Sequence, residues 1–174
     1  MEVKSKFYFL DQSQDIHYVV NKFENVELNF FVYSSADALI NIYAEVEEEA
    51  QLLINLSGLF FKEQNSRVNV YTKNMKNYGQ TTIKAFCVIK DKSVLHIDLN
   101  CDVKPHTMQN KVVQKIDGIL LSEHAKMTGQ LNLKIDTDDI IATHALNIGS
   151  LNKEEMFYLM SKQISYKEAR SIIL

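Results

Sequence analysis

Two cysteines, five histidines and 22 acidic side chains are the groups in this 174-residue chain that could bind a metal, carry protons or attack an electrophile. Their spacing removes most of those roles. Cys101 shares a period-two face with Leu95, Ile97 and Leu99, and Cys87 sides with Ile83, Ala85 and Ile89, so both thiols are predicted to point into a core as small hydrophobes. His96, Asp98 and Asn100 take the opposite face of the Cys101 strand, with His106 shortly after. A His/Asp pair two residues apart can hold a divalent cation, but no Cys-x-x-Cys or His-Glu-x-x-His arrangement supports one, and no metal site is predicted. Asp138 and Asp139 are adjacent in a turn and project to different sides, which suits them poorly to sharing a substrate. The chain has no glycine-rich phosphate loop, no Gly-x-Ser-x-Gly elbow and no dinucleotide fingerprint. No catalytic residue is predicted, and the chain reads as a non-enzyme. His144 stands apart, because it alternates with Ala142, Leu146 and Ile148 on one face of a strand-like run. Spacing alone favours a core histidine satisfied by backbone groups.

The elements that must position these residues are mostly strands. Runs at 7–10, 17–20, 26–33, 38–46, 51–61, 67–72, 81–90, 94–103, 131–136 and 140–148 are short, rich in β-formers and bounded by polar turns. Glu47, Glu48 and Glu49 read as a solvated turn. Helical spacing begins only after Gly149. Asn152 is a plausible N-cap with Glu154 and Glu155 in the first turn, and Phe157, Leu159 and Met160 form the apolar side. Ser165 opens a second short helix with Lys167 and Glu168 in its first turn and Ile172, Ile173 and Leu174 as its closing apolar cluster. This pattern predicts an all-β architecture with a short helical tail. Periodicity leaves a sandwich, a barrel and a β-solenoid open, since no exact internal repeat is visible.

With 46% hydrophobic and 24% charged residues and a net charge of −3, the composition is that of a soluble globular protein with no call for nucleic acid. No apolar run approaches the roughly 20 residues that span a bilayer, and Met1 to Lys4 lead into no signal-like segment. Two cysteines are too few for a disulfide framework and fit a reducing compartment, so the cytoplasm is expected. One proline and five glycines leave few turns conventionally marked.

The segment Asp138-Asp139-Ile140-Ile141-Ala142-Thr143-His144-Ala145, then Gly149-Ser150-Leu151, Phe157 to Ser165 and Glu168-Ala169, resembles the C-terminal signature of the SufB/SufD family of iron–sulfur cluster assembly proteins. Gln114 through Leu121-Ser122 and Ala125 resembles the family's Gln-then-Leu-Leu-Ser run, and the likeness is clear from about Asn110 onward. The resemblance implies a right-handed parallel β-helix over 1–150 with a helical segment over 151–174. It also implies a SufD-like scaffold that dimerises with itself or with a SufB-like paralogue and binds a SufC-like ABC ATPase through the C-terminal helices. Phe157, Tyr158, Met160 and Ile164 are then partner-binding candidates, and His144 is the cluster-assembly candidate, with a transient iron–sulfur cluster as the associated cofactor. Two positions depart from the SufB pattern, Ile116 where those members carry a cysteine and Ala145 where they carry a glutamate. The alternative is a standalone β-solenoid interaction module without cluster work.

Overall fold

Strict alternation of apolar and polar residues builds strands with one buried face, and here each strand stacks on the equivalent strand of the next coil. The computed structural model describes residues 2–150 and 153–173. Among them are β1 (Val3–Leu10), β2 (Gln14–Val20), β3 (Asn25–Ser34), β4 (Leu39–Val46), β5 (Gln51–Phe60), β6 (Asn65–Asn74), β7 (Gln80–Ile89), β8 (Val94–Val103), β9 (Asn110–Leu120), β10 (Lys126–Ile135) and β11 (Ile140–Ser150). Two helices follow, α1 (Lys153–Ser161) and α2 (Tyr166–Ile173). Odd strands form one sheet in the order β1-β3-β5-β7-β9-β11, and even strands form the other in the order β10-β8-β6-β4-β2. Every pairing within both sheets is parallel. The chain is therefore a β-solenoid of about five turns, and the sandwich and barrel alternatives fall.

Register stacks like on like. One inward column of the odd sheet runs Lys6, Leu28, Ile54, Ile83, Gln114, His144, and its neighbour runs Tyr8, Phe30, Leu56, Ala85, Ile116, Leu146. Leu28, Ile54 and Ile83 are completely buried, as are Ile42, Val70 and Leu99 on the facing sheet. Outside, the columns become ladders. His17, Tyr43 and Tyr71 stack at centroid separations of 4.6 and 5.1 Å, and Asn69 donates to Asn41, which donates to Asp15, at 2.7 Å each.

The coils differ in length, which hides the repeat. Register partners in the odd sheet, Val3, Asn25, Gln51, Gln80, Lys111 and Ile141, are separated by 22, 26, 29, 31 and 30 residues. Corners turn on left-handed residues that are not glycine, namely Phe23, Lys62, Glu49, Tyr78, Asp91, His106 and Gln109, with φ between 52° and 67°. Backbone bonds between successive corners, such as Glu49 N–H to the Asn77 carbonyl at 3.0 Å, hold each turn to the next.

β9 is a strand that spacing did not identify. Its inward positions are Asn110, Val112, Gln114, Ile116 and Gly118, so three of five lack the apolar character that marks a buried face. The expected N-cap, Asn152, and the Leu151 of the Gly-x-Leu turn lie outside the described residues. Gly149 and Ser150 continue β11 instead of ending it.

The two helices pack on each other through buried Met156 and Ala169. α2 begins as predicted at Ser165, with a reciprocal capping box: Ser165 N–H donates to the Glu168 carboxylate at 3.1 Å and Glu168 N–H to the Ser165 hydroxyl at 3.3 Å.

Candidate functional site

The last coil decides where chemistry can occur. β10 and β11 are the final strands of their sheets, so among the described residues no further strand stacks on them, and the inward columns become exposed there. The turn that launches β11 is tied down by Gln109 N–H donating to the Asp139 carbonyl at 2.8 Å and by the Thr137 hydroxyl donating to the Thr107 carbonyl at 2.7 Å. Asp138 and Asp139 thus serve as a turn, with both side chains exposed. On the outer face, Asn147 donates to Asp117 at 3.0 Å and Lys115 pairs with the same carboxylate at 2.7 Å. Those contacts, the lysine's hydrogen bond first, hold the Asp117 carboxyl below its ordinary range, and the Asn147 bond ties β11 to β9.

His144 takes the inward parity that its spacing indicated. Leu146 and Ile148, of the same parity, reach over the end of the barrel-like interior, where Leu146 Cδ1 lies 2.7 Å from the Cβ that Gly129 lacks. A larger residue at 129 would make the Leu146 side chain shift from that position. His144 itself is exposed, which corrects the expectation of a buried, backbone-satisfied histidine. The reason is its place in the stack: the equivalent residue one coil earlier, Gln114, is 1% exposed beneath β11, and no described strand lies over His144 in the same way. β11 also contains no Asp, Glu, Lys or Arg, and Ile141 and Leu146 are exposed along it.

The thiols lie where the sequence placed them. Cys87 and Cys101 are free and buried in the core, and burial pushes the first up to about 12 and the second to about 11. Neither is a thiolate near neutral pH, so neither is poised as a nucleophile or ligand. His96 is bound to the Thr128 hydroxyl at 2.6 Å, and among the described residues no three His, Cys, Asp or Glu side chains converge as a metal site. Ile116 is fully buried in its column between Ala85 and Leu146, and Ala145 faces outward on β11. The other candidates lie on the helices, far along the chain from His144: Phe157, Tyr158 and Met160 are 75%, 61% and 46% exposed, while Ile164 is half-buried in the inter-helix turn. No described helix is long and apolar enough to cross a membrane.

The family model for the SufBD core domain of SUF-system iron–sulfur cluster assembly matches residues 12–174. The chain belongs to the SufBD core-domain family. Two curated relatives bear the name iron–sulfur cluster assembly protein SufD. The one from Escherichia coli K12 is 20% identical over 127 residues, 73% of this chain and 30% of the relative. The one from Bacillus subtilis 168 is 36% identical over 56 residues, 32% of this chain and 13% of the relative. This SufBD core domain thus spans less than a third of the length of the relatives it matches. The family match reaches back into the first coil, well before Asn110, from which the resemblance is clear in the sequence.

What spacing missed is Gln114. The resemblance names it only as the first residue of the Gln-then-Leu-Leu-Ser run, and the coil register reveals a carboxamide buried at the top of an aliphatic column, one strand from His144.

Proposed function

We propose that this chain is a SufD-like, non-enzymatic scaffold component of iron–sulfur cluster assembly, working in the cytoplasm. It pairs through the β11 edge with a second copy or a SufB-like paralogue and offers α1 and α2 to a SufC-like ABC ATPase. The observation that carries the reading is the exposed His144 on an uncharged terminal strand. An edge strand without charge invites pairing, and a histidine on it supplies a nitrogen ligand to whatever that pairing encloses. The family match and the SufD names of two relatives support the same process. Phe157, Tyr158 and Met160 support the helices as the ATPase-facing surface, because their apolar area is left uncovered.

The absence of ligand atoms at Ile116 and Ala145 favours a supporting half over an autonomous builder. The same absence is the basis of the second reading, a standalone solenoid module that binds proteins without cluster work. Co-purification of the tagged full chain with its native partners tests both. An ABC ATPase recovered with the full chain and lost on truncation after Gly149, with iron and sulfide lowered by His144→Ala, is the expected result. A monomer that ignores the ATPase at micromolar concentration overturns it.

A further inference from the structure

The inward column Lys6, Leu28, Ile54, Ile83, Gln114, His144 is aliphatic in the middle and polar at its last two positions. Gln114 is 1% exposed, and its Oε1 has no hydrogen-bond partner among the described residues. Its Nε2 reaches across to the Asn132 carbonyl of β10 at 3.5 Å, a contact at the limit of a hydrogen bond. The orientation of the carboxamide follows from that contact, since the flipped form would oppose two oxygens. A buried carbonyl oxygen left unpaired loses its hydration without replacement. A fourth aliphatic residue would fill the same site without that penalty, as Ile83 does one coil below. Gln114 therefore keeps a free acceptor at the one level of the column where the next residue is an imidazole.

We propose that Gln114 is the positioning residue of His144. The Gln114 Oε1 accepts the proton of one imidazole nitrogen, so that a single neutral tautomer is held. The other ring nitrogen then presents its lone pair to the open end of the solenoid. Ladder neighbours in a parallel sheet lie about 4.8 Å apart, so a side-chain rotation closes the bond with no movement of the backbone. An acceptor behind a ligating histidine fixes ring orientation and raises the basicity of the nitrogen that binds, and its loss typically costs 10–100-fold in affinity.

This inference rests on the reading of His144 as a cluster-assembly ligand, and the test separates the two. The first measurement uses the full chain alone, with no iron present. Two-bond proton–nitrogen correlations of the histidine rings above neutral pH report the tautomer, with His144 assigned by the signals that vanish in His144→Gln. The expected result is one tautomer in the native chain, a mixed pattern in Gln114→Leu, and a single tautomer again in Gln114→Glu, which keeps an acceptor at the site. Gln114→Leu preserves volume and removes an unpaired group, so it is expected to fold. If it does not, loss of the single tautomer in Gln114→Met serves in its place. An unchanged tautomer pattern in the leucine or methionine variant overturns the inference. The second measurement is iron and sulfide content of the co-purified complex, expected to fall roughly 10-fold in Gln114→Leu and to recover in Gln114→Glu. A tautomer shift accompanied by cluster loading that neither Gln114→Leu nor His144→Ala alters upholds the positioning contact and overturns the assembly reading. Loading that falls in His144→Ala and stays native in Gln114→Leu does the reverse.

Discussion

The two ends of the solenoid face the same physical problem and meet it differently. Both leave an unpaired parallel edge and an open core. At the first coil, Lys4 and Lys6 of β1 occupy inward-parity positions. Lys4 pairs with Glu24 at 2.5 Å, Lys6 sits 4.7 Å above the Tyr18 ring, and Tyr8 stacks on Phe30 at 4.8 Å. Any chain adding to β1 would have to bury two ammonium groups, so this edge is closed to pairing. At the last coil, β11 carries no formal charge, and its inward positions are Ile140, Ala142, His144, Leu146 and Ile148. Nothing there penalises an added strand. One edge carries inward charge and the other carries none, so the pairing proposed above belongs at β11 and not at β1.

The largest way to break this comparison is to remove the rod between the ends. Ile54→Ala opens a cavity at the fully buried middle of the column and is expected to cost about 2–5 kcal/mol, read by urea denaturation, without favouring either edge. Next, charging the receptive end should make it resemble the protected one. Leu146→Lys is expected to abolish pairing through β11, seen as a lower mass by light scattering, and an unchanged assembly would remove that edge from the interface. Removing charge from the other end is the converse. Lys6→Leu gives up a cation–π contact of about 0.5–1 kcal/mol and should add concentration-dependent self-association through β1. A corner tests whether the stack between the ends is strained. Lys62 holds φ 67° with a side chain in the left-handed region, so Lys62→Gly is expected to stabilise the fold by about 1 kcal/mol in the same urea titration.

The smallest effect lies in the helices. The Ser165 hydroxyl, followed by its backbone N–H, holds the Glu168 carboxyl below its ordinary 4.5. A depressed carboxyl stabilises the fold when ionised, so this contribution is fully present above pH 4.5 and is lost as pH falls through the lower folded value. Circular dichroism should show α2 weakening below that pH, and Glu168→Gln should remove the dependence.

Most strands and both buried thiols were legible because alternation is a local property. Leu95, Ile97, Leu99 and Cys101 announce one face with no knowledge of the fold. The Ser165–Glu168 cap was legible for the same reason, since its partners are three residues apart. The β9 strand was not, because Asn110, Gln114 and Gly118 interrupt its inward face for reasons that lie in other coils. Asn110 accepts from Gly79 N–H at 2.9 Å, and Gly118 leaves room for Met127. Turns were obscured by corners built on Phe23, Glu49, Lys62 and Asp91 in place of glycine. The family likeness was legible where side-chain types themselves are the signature, around His144 and the two helices, and faded where only the pattern of burial persists.

The sequence by itself determined which residues face inward and that the chain is built of β-strands, because a period of two is set by backbone geometry within each strand. Only the tertiary structure decided which inward residues are covered. Gln114 and His144 share one column and one parity, yet the first is buried and the second exposed. That difference comes from the presence or absence of one more coil, a count that no local pattern contains.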